Sequence, residues 1–398
     1  MYVTIIYKEN CSIFREKLMK KVAIIGAGIS GLFIANLFKK NLNYQITVYE
    51  KNSLIDLDGG YGIQLSVNSV KLLNKIGFDK FQNEKKFNPD KINFYSIKSS
   101  KIICDLSISE FNLDDCKYTT LKRSDLINFL KTDLESLIKT DHSISKINKE
   151  NQKIKLTFKN NETFECDYLI ISDGVFSKSK NLISNNQIQP KYNNTLAIRG
   201  TISRSANVID KKNISLFLGP DFHQVIYPVA QNGDFNFIAI MKYKLSINEQ
   251  KNYSLFNNDD FVKKVLESIP KESKKFFDEI KGLKIFPIFV SDDFFKIKND
   301  KIHLIGDAFF AFPPSFAQGA SQSIEGAYEL FKSIESKTES NFFKNRVNKV
   351  KMVNHRSQIN QFAFHLSNPL TNLIRNIFLK KLVKNKKFLE SYLGKIYS

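Results

Sequence analysis

The sequence predicts an α/β protein: a mainly antiparallel sheet inserted into a doubly wound parallel one, with a helical extension closing the chain. Three observations predict this. An apolar strand, Lys21–Gly26, runs through a glycine turn into an amphipathic helix, Ile29–Lys40, and then a second strand, Tyr44–Tyr49. That is a βαβ opening, which implies parallel strands joined by crossover helices. Four strand-like runs between Leu196 and Tyr243 follow one another across short turns without a long helix, the pattern of an antiparallel sheet. A strand of the first kind returns at Ile302–Gly306, and residues 339–398 read as lysine-rich helices.

In chain order, Val67–Ile76 reads as a helix, and Lys91–Ile97 with Lys101–Leu106 as short paired strands. Ser124–Lys139 reads as a helix with Ser124 as its N-cap, because a serine hydroxyl can accept one of the first free N–H groups. Lys153–Phe158 and Thr163–Cys166 form a hairpin around Asn160-Asn161, and Tyr168–Ser172 is a buried strand. Leu196–Ser203, Ile214–Leu218, Gln224–Val229 and Asn236–Tyr243 make the inserted sheet, with turns at Gly219-Pro220 and Asn232-Gly233. Asp260–Ile269 and Ser321–Ser333 are helices. The parallel-sheet unit is expected at 19–88, 121–180 and 296–338, the inserted antiparallel unit at 89–120 and 181–295, and the helical extension at 339–398.

Composition excludes several classes. With 398 residues, 42% hydrophobic and 25% charged, the chain can bury a large core and is neither disordered nor fibrous. No apolar run reaches the ~18–20 residues of a membrane span. Met1–Lys20 lacks the ordered regions of a secretory signal, and residues 1–18 are set aside from the fold. Cys11, Cys104, Cys116 and Cys166 form no close-spaced pair, so no zinc or CxxC site is expected, and a reducing cytoplasm is the simplest setting. The net charge of +20 comes almost entirely from lysine spread along the chain, with only seven arginines. Arginine is the preferred fork for phosphate and base edges, so specific nucleic-acid recognition is not expected.

The first chemical constellation is Gly26-Ala27-Gly28-Ile29-Ser30-Gly31. Glycines at this spacing allow a tight turn, approach of backbone to a pyrophosphate, and close helix–strand packing, with the phosphate at the positive helix N-terminus. Here the motif follows a strand, opens a helix, and is followed by Glu50 at the end of the second strand, where a carboxylate accepts ribose hydroxyls. The other two are Asp173-Gly174 after the Tyr168–Ser172 strand, and Gly306-Asp307 leading into Pro313-Pro314 and Gln318-Gly319 before a helix.

With these three motifs in this order, the chain resembles the single-component FAD-dependent aromatic hydroxylases, the para-hydroxybenzoate and salicylate hydroxylase group that includes the ubiquinone-pathway hydroxylases. The resemblance runs over residues 21–380, through KVAIIGAGISGL (21–32), GYGIQLSVNSVKLLNKIGF (60–78), LKRSDLINFL (121–130), DYLIISDGVFSKSK (167–180), IHLIGDAFFAFPPSFAQGASQSIEGAYEL (302–330) and RNIFLKK (375–381). It implies a Rossmann-like FAD-binding domain with Gly26, Ala27, Gly28 and Gly31 at the pyrophosphate, Glu50 at the adenosine ribose, and Arg123 on FAD. Asp173 and Gly174 would support FAD, and Gly306 with Asp307 would meet the ribityl chain. Pro314, Gln318, Gly319 and Ala320 would approach the flavin ring, setting a helix N-terminus beside its N1–C2 edge.

The activity so implied is ring hydroxylation of an aromatic or quinone-precursor substrate. NADH or NADPH reduces FAD, and O2 adds to give a flavin C4a-hydroperoxide that attacks the ring. The flavin carries that chemistry, so neither a triad nor a metal is expected. Arg199, His223 and Tyr227, in the inserted sheet, are the candidate substrate or flavin contacts, although the sheet's own hydrogen bonding is the favoured role for each. His303 reads as structural, and His355 and His365 as no metal pair.

Three departures stand out from the group's usual pattern. Phe309-Phe310 replace a small residue and a histidine, which would reshape the cavity beside the flavin; Ala317-Gln318-Gly319 and Lys180 are the others. The rival readings are a flavin reductase that never activates O2, and a non-catalytic protein binding nucleic acid or anionic lipid. Ile374, Phe378 and Leu382 recur at helical spacing among lysines. The stripe is read as packing on the core; the second reading is peripheral contact with an anionic inner membrane.

Overall fold

The computed structural model describes residues 19–55, 61–150, 152–184, 187–203, 210–231 and 233–397. Residues 1–18, and with them Cys11, lie outside these, as do Gly60, Arg204 and Asn232.

Among the described residues the βαβ opening builds a five-stranded parallel sheet in the order Ile302–Leu304, Tyr168–Ile171, Lys20–Ile25, Tyr44–Tyr49, Ile138–Lys139. Val22–Ile25 and Leu169–Ile171 are buried throughout, as expected for parallel strands covered on both faces. The helices Ile29–Lys39 and Gly319–Glu335 lie against each other beside this sheet. A three-stranded antiparallel sheet, Ile144–Glu150, Lys153–Phe158 and Thr163–Cys166, sets Phe158 on Tyr49 with ring centres 4.5 Å apart. Its Asn160-Asn161 turn places Asn161 at φ +67°, a backbone that asparagine tolerates.

The predicted Ser124–Lys139 helix is shorter than expected. It spans Arg123–Lys131, its N-cap is Lys122, and no side chain caps it. Thr132 and Asp133 are weak helix formers. Beyond them the chain is taken by the open edge of Tyr44–Tyr49: Ile138–Lys139 pairs with Val48–Tyr49 and becomes the fifth parallel strand.

The second large sheet has seven strands in the order Ile280–Val290, Lys191–Ile202, Phe235–Lys242, Phe222–Pro228, Ile214–Gly219, Lys91–Ser96, Ile102–Ser107. It is antiparallel except where Ile214–Gly219 runs parallel to Lys91–Ser96. Ile280–Val290 is a long strand that sequence patterning missed. Side chains alternate across the sheet. Phe217, Phe222 and Ile226 pack toward the helix Asp259–Glu267, whereas Leu216, Leu218 and Tyr227 face the C-terminal helices. Gly62–Leu65 and Thr119–Lys122 pair beneath it as a small ribbon.

The C-terminal stripe is the clearest correction. In the helix Pro369–Leu382, Ile374 and Phe378 are exposed, and only Leu382 of the predicted stripe turns partly inward. The buried position is Arg375, whose Nη1 donates to Ala363 O at 3.3 Å and whose Nε and Nη2 donate to Asn376 Oδ1 at 3.1 and 3.0 Å. The expectation failed because the helix turns Arg375, Leu379 and Leu382 inward and leaves Ile374 and Phe378 on its outer side.

Candidate active site

The strand Lys20–Ile25 is the switch point of the parallel sheet, since the chain moves to one side through Tyr44–Tyr49 and returns on the other at Tyr168–Ile171. Ligands of open α/β sheets bind at the carboxyl ends of strands at this point. All three predicted motifs end up there, on adjacent strands, and their backbones interlock. Gly26 has φ +102°, and a Cβ on it would lie 2.6 Å from Ser172 O. A Cβ on Gly31 would lie 2.1 Å from Gly26 O. Gly306, at φ +60°, leaves room for Ser30 Oγ, 2.5 Å from where its Cβ would stand. The Ser172 hydroxyl closes the joint, donating to Ile25 O at 2.8 Å or Gly26 O at 3.0 Å.

Gly28 is different: a Cβ there would meet nothing within 4 Å. No protein contact requires glycine at that position, so the space beside it fits a ligand pressed against the turn. Glu50 faces the same turn. Its Oε2 accepts the Ala27 N–H at 3.0 Å, and its Oε1 accepts the Asn52 N–H at 3.1 Å. Asp173 Oδ2 accepts from Ser179 N at 3.2 Å and Ser179 Oγ at 2.8 Å, while Oδ1 is buried with no protein partner. A buried orphan acceptor at a strand's carboxyl end is a second place that fits an incoming donor. Lys180 is buried beside it. Burial pushes its ammonium below the ordinary lysine value, and Asp173 opposes that shift.

Asp307 begins a cavity of about 720 Å³ running from the parallel sheet's edge to beneath the C-terminal helices. Its side chain is open to the cavity, yet protein surrounds it on the other sides, and this desolvation pushes its carboxyl up to about 6 from the ordinary 3.8. Beyond it lie Pro314, Ala317 at φ +52°, and the start of the Gly319–Glu335 helix, with Gly319 and Ala320 on the cavity wall. Gln318 is buried, and its Oε1 takes a long hydrogen bond of 3.4 Å from Gln322 Nε2. The predicted helix N-terminus therefore opens onto the cavity, with no acidic residue in its first turn to oppose an anion.

The remaining wall is largely apolar, with Ile92, Phe94, Leu216 and Ile238 from the sheet and Phe364, Leu379 and Leu389 from the helices. Arg199 and Tyr227 line it. The Arg199 guanidinium sits 6.0 Å from the Tyr61 ring centre. Burial raises the Tyr227 hydroxyl well above its ordinary value while Arg199 pulls it down, so it stays protonated. Two residues that sequence reasoning missed complete this polar end: Tyr118 donates to Gln64 Oε1 at 2.7 Å. The signal for Gln64 was available as a polar residue alternating with Ile63 and Leu65 in a short strand. Among the described residues Asp307 is the only carboxylate on the cavity wall.

His223 also lines the cavity, but its Nδ1 lies 2.8 Å from His365 Nε2. Burial lowers both imidazoles, so one neutral ring donates to the other. His303 is buried against Asp300 O. Arg123 is half-buried at the start of its helix, where its backbone N–H donates to Tyr61 O at 2.9 Å. Phe309 and Phe310 do not reshape the large cavity: they turn into the core, Phe310 stacking on Phe294 at 4.4 Å and Phe309 edging Phe342 and Phe343. The wall at that point is Ala311 and Phe312. No cluster of His, Cys, Asp or Glu among the described residues has the geometry of a metal site.

The fold and its sheet-edge turns define an FAD-binding α/β protein: the family model "FAD binding domain" matches residues 19–339. Known relatives narrow the class. The chain is 22% identical over 316 residues to a 3-amino-4-hydroxybenzoate 2-monooxygenase of Streptomyces platensis, covering 78% of each chain. It is 22% identical over 358 residues to a salicylate hydroxylase of Pseudomonas putida, covering 82% of this chain and 79% of that one. In fold it is similar to Klebsiella pneumoniae HpxO complexed with FAD and uric acid, with a TM-score of 0.78 at 16% identity over 95% of this chain and 96% of that one. It is likewise similar to a salicylate hydroxylase substrate complex, with a TM-score of 0.77 at 17% identity over 96% and 98%. The chain belongs to the FAD-dependent aromatic hydroxylase family and is a flavin monooxygenase.

Proposed function

We propose that the protein hydroxylates an apolar aromatic ring held in the large cavity, drawing electrons from NADH or NADPH and oxygen from O2. The observation that carries this is the cavity itself: it joins the sheet edge, where the flavin motifs converge, to an apolar chamber with one cationic and hydroxylic end. Bound FAD supplies the redox chemistry and the activation of O2.

The chain's own residues bind and orient. Gly26, Ala27, Gly28 and Gly31 would hold the pyrophosphate against the helix N-terminus, Glu50 would accept the ribose hydroxyls, and Arg123 would support the cofactor. Asp173 with Gly174 and Gly306 with Asp307 would supply acceptors and close backbone approach along the same groove. Pro314, Gln318, Gly319 and Ala320 would present backbone and a positive helix end to the isoalloxazine, stabilising negative charge on it. Ring substrates would pack against Phe94, Leu216 and Phe364, excluding water from the reacting face. Arg199, Tyr227 and the Tyr118–Gln64 pair would fix a single polar or anionic substituent, which sets the ring's orientation.

The test is oxygen uptake and NADH or NADPH oxidation by FAD-loaded protein across a panel of lipophilic phenols and hydroxybenzoates. Uptake that rises with a ring compound, together with a hydroxylated product, is expected. A product formed with no oxygen consumed would make the protein a flavin reductase instead.

A further inference from the structure

We propose that the outward face of the Pro369–Leu382 helix, with Phe362 of the preceding helix, docks on an anionic lipid bilayer. Leu370, Leu373, Ile374, Ile377 and Phe378 recur at i, i+3, i+4, i+7 and i+8, which places them on one side of this helix. They are 44–64% exposed, and Phe362 is 71% exposed. The inward side carries Asn372, Arg375 and Asn376 together with Leu379 and Leu382, so the helix is apolar on both sides and its outward apolar face is left uncovered. Scattered apolar residues on a surface need no explanation, but five on one helix face do.

The charge around the face selects the occupant. No aspartate or glutamate lies between Glu339 and Glu390, while Lys380, Lys381, Lys384, Lys386 and Lys387 are all exposed at the end of the helix and just past it. A second copy of the chain seated on the face would bring the same lysines together, and the whole chain carries +20. An anionic bilayer receives both features at once, with apolar side chains in the headgroup boundary and lysines on the lipid phosphates.

The other side of the same helix fits this arrangement. Leu379, Leu382 and Val383 line the large cavity, as does Ile359, which is also 44% exposed. One helix thus separates the proposed bilayer face from the chamber, a distance of ~10 Å for a helix with its side chains.

The test is co-sedimentation of the full-length, FAD-loaded protein with phosphatidylglycerol–phosphatidylcholine vesicles. Binding is expected to fall at least tenfold on phosphatidylcholine alone, and to fall steeply in about 1 M salt, where screening shortens to ~3 Å. Two variants report on the face. Leu373→Ser with Phe378→Ser removes apolar area, and Lys380→Gln with Lys381→Gln removes charge. Both sets of side chains are exposed, so the thermal midpoint should hold while vesicle binding drops tenfold or more. Wild-type protein that ignores vesicles, or a serine double variant that binds as well as wild type, would overturn the proposal. So would a dimer in sedimentation that the serine variant dissociates without any vesicle binding, since the occupant would then be a second copy.

Discussion

The two ends of the site are built by opposite means. At the sheet edge, three short turns on neighbouring strands touch through backbone atoms, and each glycine has a stated neighbour or a stated void. At the far end, the cavity is walled by side chains from two sheets and the C-terminal helices, drawn from stretches far apart in sequence. The first kind of construction tolerates almost no change in backbone shape. The second tolerates substitution as long as volume and polarity are kept, which lets one family fit many rings to one cofactor.

Four substitutions put that contrast to the test. The largest effect is expected from Gly31→Ala, whose methyl group would have to displace the Gly26 carbonyl. Overpacking of this kind costs roughly 1–3 kcal/mol or more, so the thermal midpoint should fall and bound FAD should be lost. Gly28→Ala separates the two losses. With open space around the new methyl, the FAD-free protein should melt as wild type does, while FAD affinity falls at least ~10-fold, or about 1.4 kcal/mol. A stable Gly28→Ala protein whose FAD affinity equals that of wild type would show that the pyrophosphate lies elsewhere.

Asp307 supplies a pH test. Its carboxyl is raised to about 6, so in the FAD-free protein the ionised form is disfavoured, and this group removes stability as pH rises from 3.8 through 6. Hydroxyls donated by FAD would favour the carboxylate. FAD affinity should therefore weaken as pH falls through 6, and titration of Asp307→Asn across that window should be flat. An unchanged slope in the variant would move the titrating group elsewhere. The smallest effect is expected at the far end: Arg199→Gln should leave FAD bound and raise KM for a ring with an anionic substituent by roughly tenfold, about 1.4 kcal/mol. Equal kinetics for charged and uncharged rings in wild type would remove Arg199 from that role.

The same contrast explains what the sequence could reveal. Gly26–Gly31, Asp173-Gly174 and Gly306-Asp307 were readable because each is a contiguous run whose local backbone is its function. Ile138–Lys139 and Ile280–Val290 were not, because a strand is defined by a partner far along the chain. The direction of Phe309 and Phe310 depended on Phe294, Phe342 and Phe343, which no local pattern places nearby. Helical spacing correctly gathered Ile374 and Phe378 on one face but could not say which side of the helix would be covered. A buried arginine, tied to Ala363 O, decided that.

Oxygen transfer to a ring in this cavity can be followed by turning over the FAD-loaded protein under 18O2 with the best ring compound from the panel. One 18O atom in each product molecule and equimolar consumption of O2 are expected. Product that carries no 18O would contradict it, whatever the colour of the protein.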